Sequence, residues 1–121
     1  MSRKLSSSKK REVFDKTDGH CAYCGINLAE SIFSVDHIHP VINGGSNDIA
    51  NLLACCLSCN ASKGKRDIED YRLYVSAKAV TGDIFFGIPQ LKFLRDVGAL
   101  DAMGVDQNHQ FYFEKAKGGE S

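Results

Sequence analysis

The chain has 121 residues, with 15 Lys/Arg balancing 15 Asp/Glu, five Cys and no Trp. A chain this short makes one small domain with at most an appendage, and its limited core would gain from a metal or disulfide staple. No apolar run of signal-peptide or membrane-span length occurs, which argues against a membrane partner and for a reducing, cytoplasmic setting (the host cytoplasm for a phage-encoded chain).

Zero net charge hides an uneven distribution. Residues 1–16 carry six Lys/Arg against two acids, residues 17–60 carry no Lys or Arg and four acids, and residues 61–75 carry four against three. A polyanionic partner is therefore not excluded, because the local patch decides.

In chain order, residues 1–11 form a basic tail. "SSSKKREVFDKTDGH" reads as a short helix, with Ser6 to Ser8 as caps, Val13 and Phe14 as an apolar edge and Gly19 as the stop. "CAYCG" is a tight knuckle turned at Gly25. "SIFSVDHI" reads as a strand ended by Pro40, and Asn43-Gly44-Gly45 centres a turn. "DIANLLACC" is open between a short helix and a strand. From about residue 60 the spacing of Ile68, Tyr71 and Val75 predicts one helix, weakened at Gly64. Beyond residue 76, "SAKAVTGDIFFG" reads as a loop or short extended piece, "IPQLKFLRDVGAL" as a helix and "HQFYFEKA" as a strand. The expected layout is a basic tail at 1–11, a functional domain at 12–75 and a C-terminal extension of open role at 76–121.

Four of the five cysteines form two Cys-x-x-Cys pairs, Cys21/Cys24 and Cys56/Cys59. Zinc takes four soft ligands at tetrahedral corners, and each knuckle offers two from one turn. The pairs are 31 residues apart, so the insert must be a structure of its own, held at its base by the metal. Cys55 is the spare; pairing it with Cys59 leaves a three-residue gap that zinc also accepts, whereas Cys56 restores the two-residue gap and is preferred. One structural zinc per chain is expected. His20 sits beside Cys21, but four thiolates already fill a tetrahedron, and His109 reads as surface.

The stretch "VDHIHP" places Asp36, His37 and His39 within four positions. Asp36 and Asn60 are hard oxygen donors suited to Mg²⁺ or Mn²⁺. His37 carries an imidazole, whose ordinary pKa of ~6.5 suits it to accept a proton from water. On a continuous strand His39 would point to the same side as His37. Together these residues outline a site for phosphodiester hydrolysis, in which the ion stabilises the leaving oxygen and a histidine activates the attacking water.

The ordered set "CAYCG … VDHIHPVINGGSNDIANLLACCLSCNASKG" resembles the HNH endonuclease family in the form with a four-cysteine zinc site, over roughly residues 12 to 70. The resemblance implies an α+β, zinc-stapled ββα-metal domain with an N-terminal helix and a short C-terminal α/β extension. It implies that Asp36 and Asn60 bind the catalytic ion, that His37 is the general base, and that Asn51 orients the loop and the base. It also implies that His39 contacts the scissile phosphate. Asn60 stands where the family name has its last histidine. The expected activity is divalent-metal-dependent DNA cleavage or nicking with weak sequence preference, leaving a 5′-phosphate and a 3′-hydroxyl. Lys9, Lys10, Arg11, Lys63, Lys65 and Arg66 would contact the DNA backbone. The alternative is a non-catalytic zinc-binding module for nucleic acid or protein, which has no use for Asp36, His37 and Asn60 together. A larger DNA-processing assembly is a further expected partner.

Overall fold

The computed structural model describes residues 5–30, 32–82 and 86–119. Residues 1–4 of the expected tail and 83–85 of the expected loop lie outside the described residues. The chain divides into two compact units, one comprising residues 1–65 with 111–121 and the other residues 66–110. This division departs from the expected boundary after residue 75, since the end of the chain returns to the first unit. Among the described residues, no helix is long and apolar enough to cross a membrane.

The first unit begins with helix α1, Ser7–Lys16, capped as expected by Ser6, whose side chain accepts from the Lys9 amide at 3.2 Å. Asp18 and Gly19 follow with positive φ, and Gly19 lies against the Phe14 ring, so the helix stops against its own aromatic edge. Strands β1, Ser34–His37, and β2, Leu52–Cys55, form a two-stranded antiparallel sheet with Asp36 opposite Leu53 and His37 opposite Leu52. The segment that was open between helix and strand divides: Ile49–Asn51 is a 3₁₀ turn and β2 follows it. Every residue of β2 is buried, as its apolar run predicts for a strand covered on both faces. Val13 of α1 packs with Leu52 and Ala54, ringed by half-buried Leu28, Phe33, Val35 and Ile49. The Lys16 ammonium fastens the helix further by donating to the Ile49 and Leu52 carbonyls, both at 2.7 Å.

The helix expected from residue 60 is in fact two. Helix α2, Leu57–Lys63, stops at Gly64, whose φ of 55° and ψ of −128° is open to glycine and strained for other residues. Helix α3, Ile68–Thr81, starts afresh with Asp67 as its cap, in the second unit. It covers much of the segment expected to be loop. With α4, Ile88–Asp96, and α5, Ala99–Ala102, it encloses a small core of Leu73, Ala77, Leu91, Leu100 and Val105. Leu91 is buried, while Val97, the C-cap of α4, is exposed.

The expected C-terminal strand is helix α6, Tyr112–Gly119. Glu114 reaches back to accept from the Phe111 amide at 2.9 Å. That is the return half of a capping box, and it favours helix over strand.

Leu52 is fully buried at the centre of the first unit. Leu52→Ala should cost ~2–5 kcal/mol of stability, measured by denaturant unfolding with zinc present.

Candidate metal centre and active site

The thiols of Cys21, Cys24, Cys56 and Cys59 all lie within 4.8 Å of one another. Zinc–sulfur bonds of ~2.3 Å place tetrahedral corners ~3.8 Å apart, and the Cys24 and Cys56 sulfurs are 3.9 Å apart. The donor set and its spacing therefore fit zinc. Both knuckles fold alike: Cys21 Sγ accepts from the Cys24 amide at 3.5 Å and Cys56 Sγ from the Cys59 amide at 3.4 Å. Cys56 is also the N-cap of α2, where amides and helix dipole favour a thiolate. By themselves the thiols compete. A hydrogen bond with Cys59 draws Cys21 down to about 4, while the same contact, with burial, pushes Cys59 up. Burial pushes Cys24 up as well. A divalent cation removes that competition, because it favours every sulfur as thiolate.

Cys55 lies outside the cluster, fully buried at the end of β2. Burial, reinforced by the charge of Asp36, pushes its thiol up, so it serves as a small core residue. His20 stands next to the first knuckle without joining the sulfurs; its Nδ1 lies 3.0 Å from the Gly25 carbonyl.

Asp36 and His37 end β1 and together line a depression of about 220 Å³, with Pro40, Val41, Gly64 and Lys65. Asp36 is 8% exposed. Its Oδ2 accepts from the Tyr23 hydroxyl at 2.5 Å and pairs with the Lys63 ammonium at 2.9 Å. Both contacts fall on one oxygen, which leaves Oδ1 for a cation. Asn60 is half-buried on α2, one turn before Lys63 and so on the face that α2 turns toward β1. Its backbone amide donates to the Cys56 carbonyl at 3.0 Å. By chemistry, a carboxylate and a side-chain amide oxygen are hard donors of the kind a hard cation takes.

Lys63 corrects one expectation. It is 0% exposed, and its ammonium bonds Asp36 and the His37 carbonyl at 2.9 Å. A cation buried in this way does not reach a phosphate backbone; it ties the end of β1 to α2.

Asn51 clips the loop between the strands. Its Oδ1 accepts from the His39 amide at 3.0 Å, and its Nδ2 donates to the carbonyls of His39 at 3.1 Å and Ser46 at 2.7 Å. The two glycines of the turn act differently. Gly44 takes φ 89°, whereas a Cβ on Gly45 would lie 1.7 Å from the His39 carbonyl oxygen.

The clip does not touch the His37 imidazole. His37 Nε2 is instead 2.7 Å from the Oδ1 of Asn47, a residue the sequence reasoning missed. A carbonyl oxygen only accepts, so Nε2 carries a hydrogen, and in a neutral ring Nδ1 is then the nitrogen with the lone pair. No spacing signal distinguishes Asn47 from an ordinary turn residue.

His39 also departs from expectation. β1 ends at His37, so strand alternation no longer governs position 39. Exposed His39 lines a different depression of about 590 Å³, with Gly44, Gly45, Ser46, Asp48 and Asn51.

The remaining cations differ in what holds them. Arg11 pairs with Asp15 and Glu30, so its guanidinium already faces carboxylates. Lys10 is exposed and Lys9 half-buried on α1. Exposed Lys65 stands on the depression with Asp36 and His37. Arg66, in the second unit, lies over the Tyr74 ring at 4.4 Å.

Residues 21–66 match the family model of the HNH endonuclease, a likeness over part of the chain. The CRISPR-associated endonuclease Cas9 of Corynebacterium diphtheriae is 39% identical over 62 residues, which are 50% of this chain and 6% of that protein. The crystal structure of the Type II-C Cas9 enzyme from Actinomyces naeslundii matches with a TM-score of 0.51 and 20% identity, over 79% of this chain and 13% of that one. The second likeness is one of fold. The chain spans only a small fraction of either relative.

Cys56→Ala should lose zinc and cooperative unfolding, because binding and folding free energies are joined in such sites. Cys55→Ala should keep one zinc per chain and shift stability by ~1 kcal/mol. Metal analysis and thermal melting read both, and zinc lost from the Cys55 variant alone would reverse the ligand choice. Gly45→Ala should force the loop off His39 and lower the melting temperature while zinc content stays at wild type.

Proposed function

We propose that the chain is a divalent-metal-dependent endonuclease that hydrolyses DNA phosphodiester bonds. The observation that carries this reading is the convergence of Asp36, His37 and Lys65 on one depression, with the tautomer of His37 set by Asn47. A non-catalytic zinc module would have no need for an oriented imidazole beside a carboxylate.

In this reading His37 Nδ1 takes a proton from water as the water oxygen attacks phosphorus. The phosphorus–oxygen bond to the 3′ carbon's oxygen breaks, leaving a 3′-hydroxyl and a 5′-phosphate once that oxygen is protonated from solvent. Asn47 keeps the imidazole from presenting its hydrogen to the water. Lys65 holds a phosphate of the backbone at the depression, assisted by Lys9 and Lys10 on α1, and such contacts position DNA without reading sequence. Asp36 and Asn60 would hold a Mg²⁺ or Mn²⁺ ion, which would supply charge stabilisation at the leaving oxygen. Zinc in the cysteine cluster is structural, since four thiolates leave no open coordination position. His39, apart from His37, contacts a neighbouring phosphate rather than the attacking water. Weak sequence preference and work within a larger DNA-processing assembly complete the proposal; one of the relatives is named an endonuclease, which favours cleavage within a polynucleotide.

His37→Ala should keep the fold, the zinc and DNA binding but slow single-turnover cleavage by ~10²–10⁴-fold. Near-wild-type cleavage by that variant would remove the histidine from the mechanism. Asn60→Ala should need more Mg²⁺ for half-maximal cleavage with zinc content unchanged; an unaltered Mg²⁺ dependence would take Asn60 out of the ligand set.

A further inference from the structure

Tyr23 lies between two zinc-cluster cysteines and is 5% exposed, yet its hydroxyl reaches Asp36 Oδ2 at 2.5 Å. What aims it comes from the other end of the chain. The Tyr112 and Phe113 amides donate to the Tyr23 and Ala22 carbonyls at 3.2 and 2.8 Å, so the residues entering α6 are laid along the first knuckle. Phe111, 1% exposed, meets the Tyr23 ring edge-on with centroids 5.2 Å apart, and Phe113 does so at 6.4 Å. The Tyr112 ring closes over Gly25, where a Cβ would lie 2.9 Å from it.

We infer that Phe111 to Phe113 are part of the active site, acting as a strap that holds Tyr23 so that its hydroxyl positions Asp36 for the divalent ion. The inference rests on the proposed role of Asp36 as a ligand. A carboxylate has two rotatable bonds and two equivalent oxygens. Tyr23 and Lys63 converge on Oδ2 from the knuckle and from α2, which fixes the rotamer and directs Oδ1 to the cation. Two aromatic edges against Tyr23 leave its ring one orientation, and a phenol hydroxyl moves only with its ring. The last segment of the chain thus acts on the metal through Tyr23. Tyr23 and Phe111 are positioning residues and touch neither ion nor substrate.

The test is Mn²⁺ binding to the full zinc-loaded chain, followed by electron paramagnetic resonance, alongside zinc content and melting temperature. Tyr23→Phe keeps the ring and removes only the hydroxyl. It should weaken Mn²⁺ binding by ~10–100-fold, the usual effect of losing an outer-shell partner, with one zinc per chain retained. Phe111→Leu should weaken Mn²⁺ binding to a smaller degree, and should add nothing in the Tyr23→Phe background because it acts through the hydroxyl. A purely structural role would lower the melting temperature and leave Mn²⁺ affinity alone. Asp36→Ala separates the two layers of argument. If it loses Mn²⁺ while Tyr23→Phe binds as wild type does, the strap is wrong and the ligand assignment stands. If Asp36→Ala itself binds Mn²⁺ normally, the ligand assignment falls and takes the strap with it.

Discussion

The first unit depends on the meeting of four sulfurs from two knuckles that are 31 residues apart in the chain. Closing a loop of that length has an entropic cost that a two-stranded sheet of four-residue strands cannot offset by itself. A cation shared by the sulfurs supplies the missing constraint at the base of the loop. The geometry follows from where the knuckles stand. One precedes β1 and the other is the first turn of α2, so joining them lays α2 beside β1 and brings its Lys63 to Asp36.

That contact is the second constraint, and it is electrostatic. A fully buried ammonium is stable only with a partner and with its remaining hydrogens satisfied, and Lys63 finds both in Asp36 and the His37 carbonyl. One side chain therefore holds two consecutive residues at the strand end, one through its carboxylate and the other through its backbone. The two asparagines of the loop divide the rest. Asn51 holds the backbone on either side of the turn, while Asn47 holds the imidazole ring. Loop shape and the orientation of the His37 ring are thus set by different residues, and each can be perturbed without the other.

What the sequence determined by itself was whatever lies in short-range spacing. Two Cys-x-x-Cys pairs pick out Cys21, Cys24, Cys56 and Cys59, because each pair offers zinc two ligands from one tight turn. Ser6 before an amphipathic run marks the start of α1. That Asp36 and His37 stand together at the end of one strand was legible from their adjacency. The division of "DIANLLACC" into turn and strand was not, since its apolar run satisfies either period.

Tertiary structure decided the rest. Nothing in "NASKGK" distinguishes Lys63, fully buried, from Lys65, exposed beside His37; which face of α2 meets β1 settles it. "HQFYFEKA" has strand-like alternation, but Phe111 and Phe113 pack on Tyr23 while Glu114 caps the amide of Phe111, and a helix results. His37 and His39 part company because β1 ends between them. In each case local pattern states what a residue can do. Burial and the choice of partner depend on which distant segment arrives beside it, and that is a property of the whole chain.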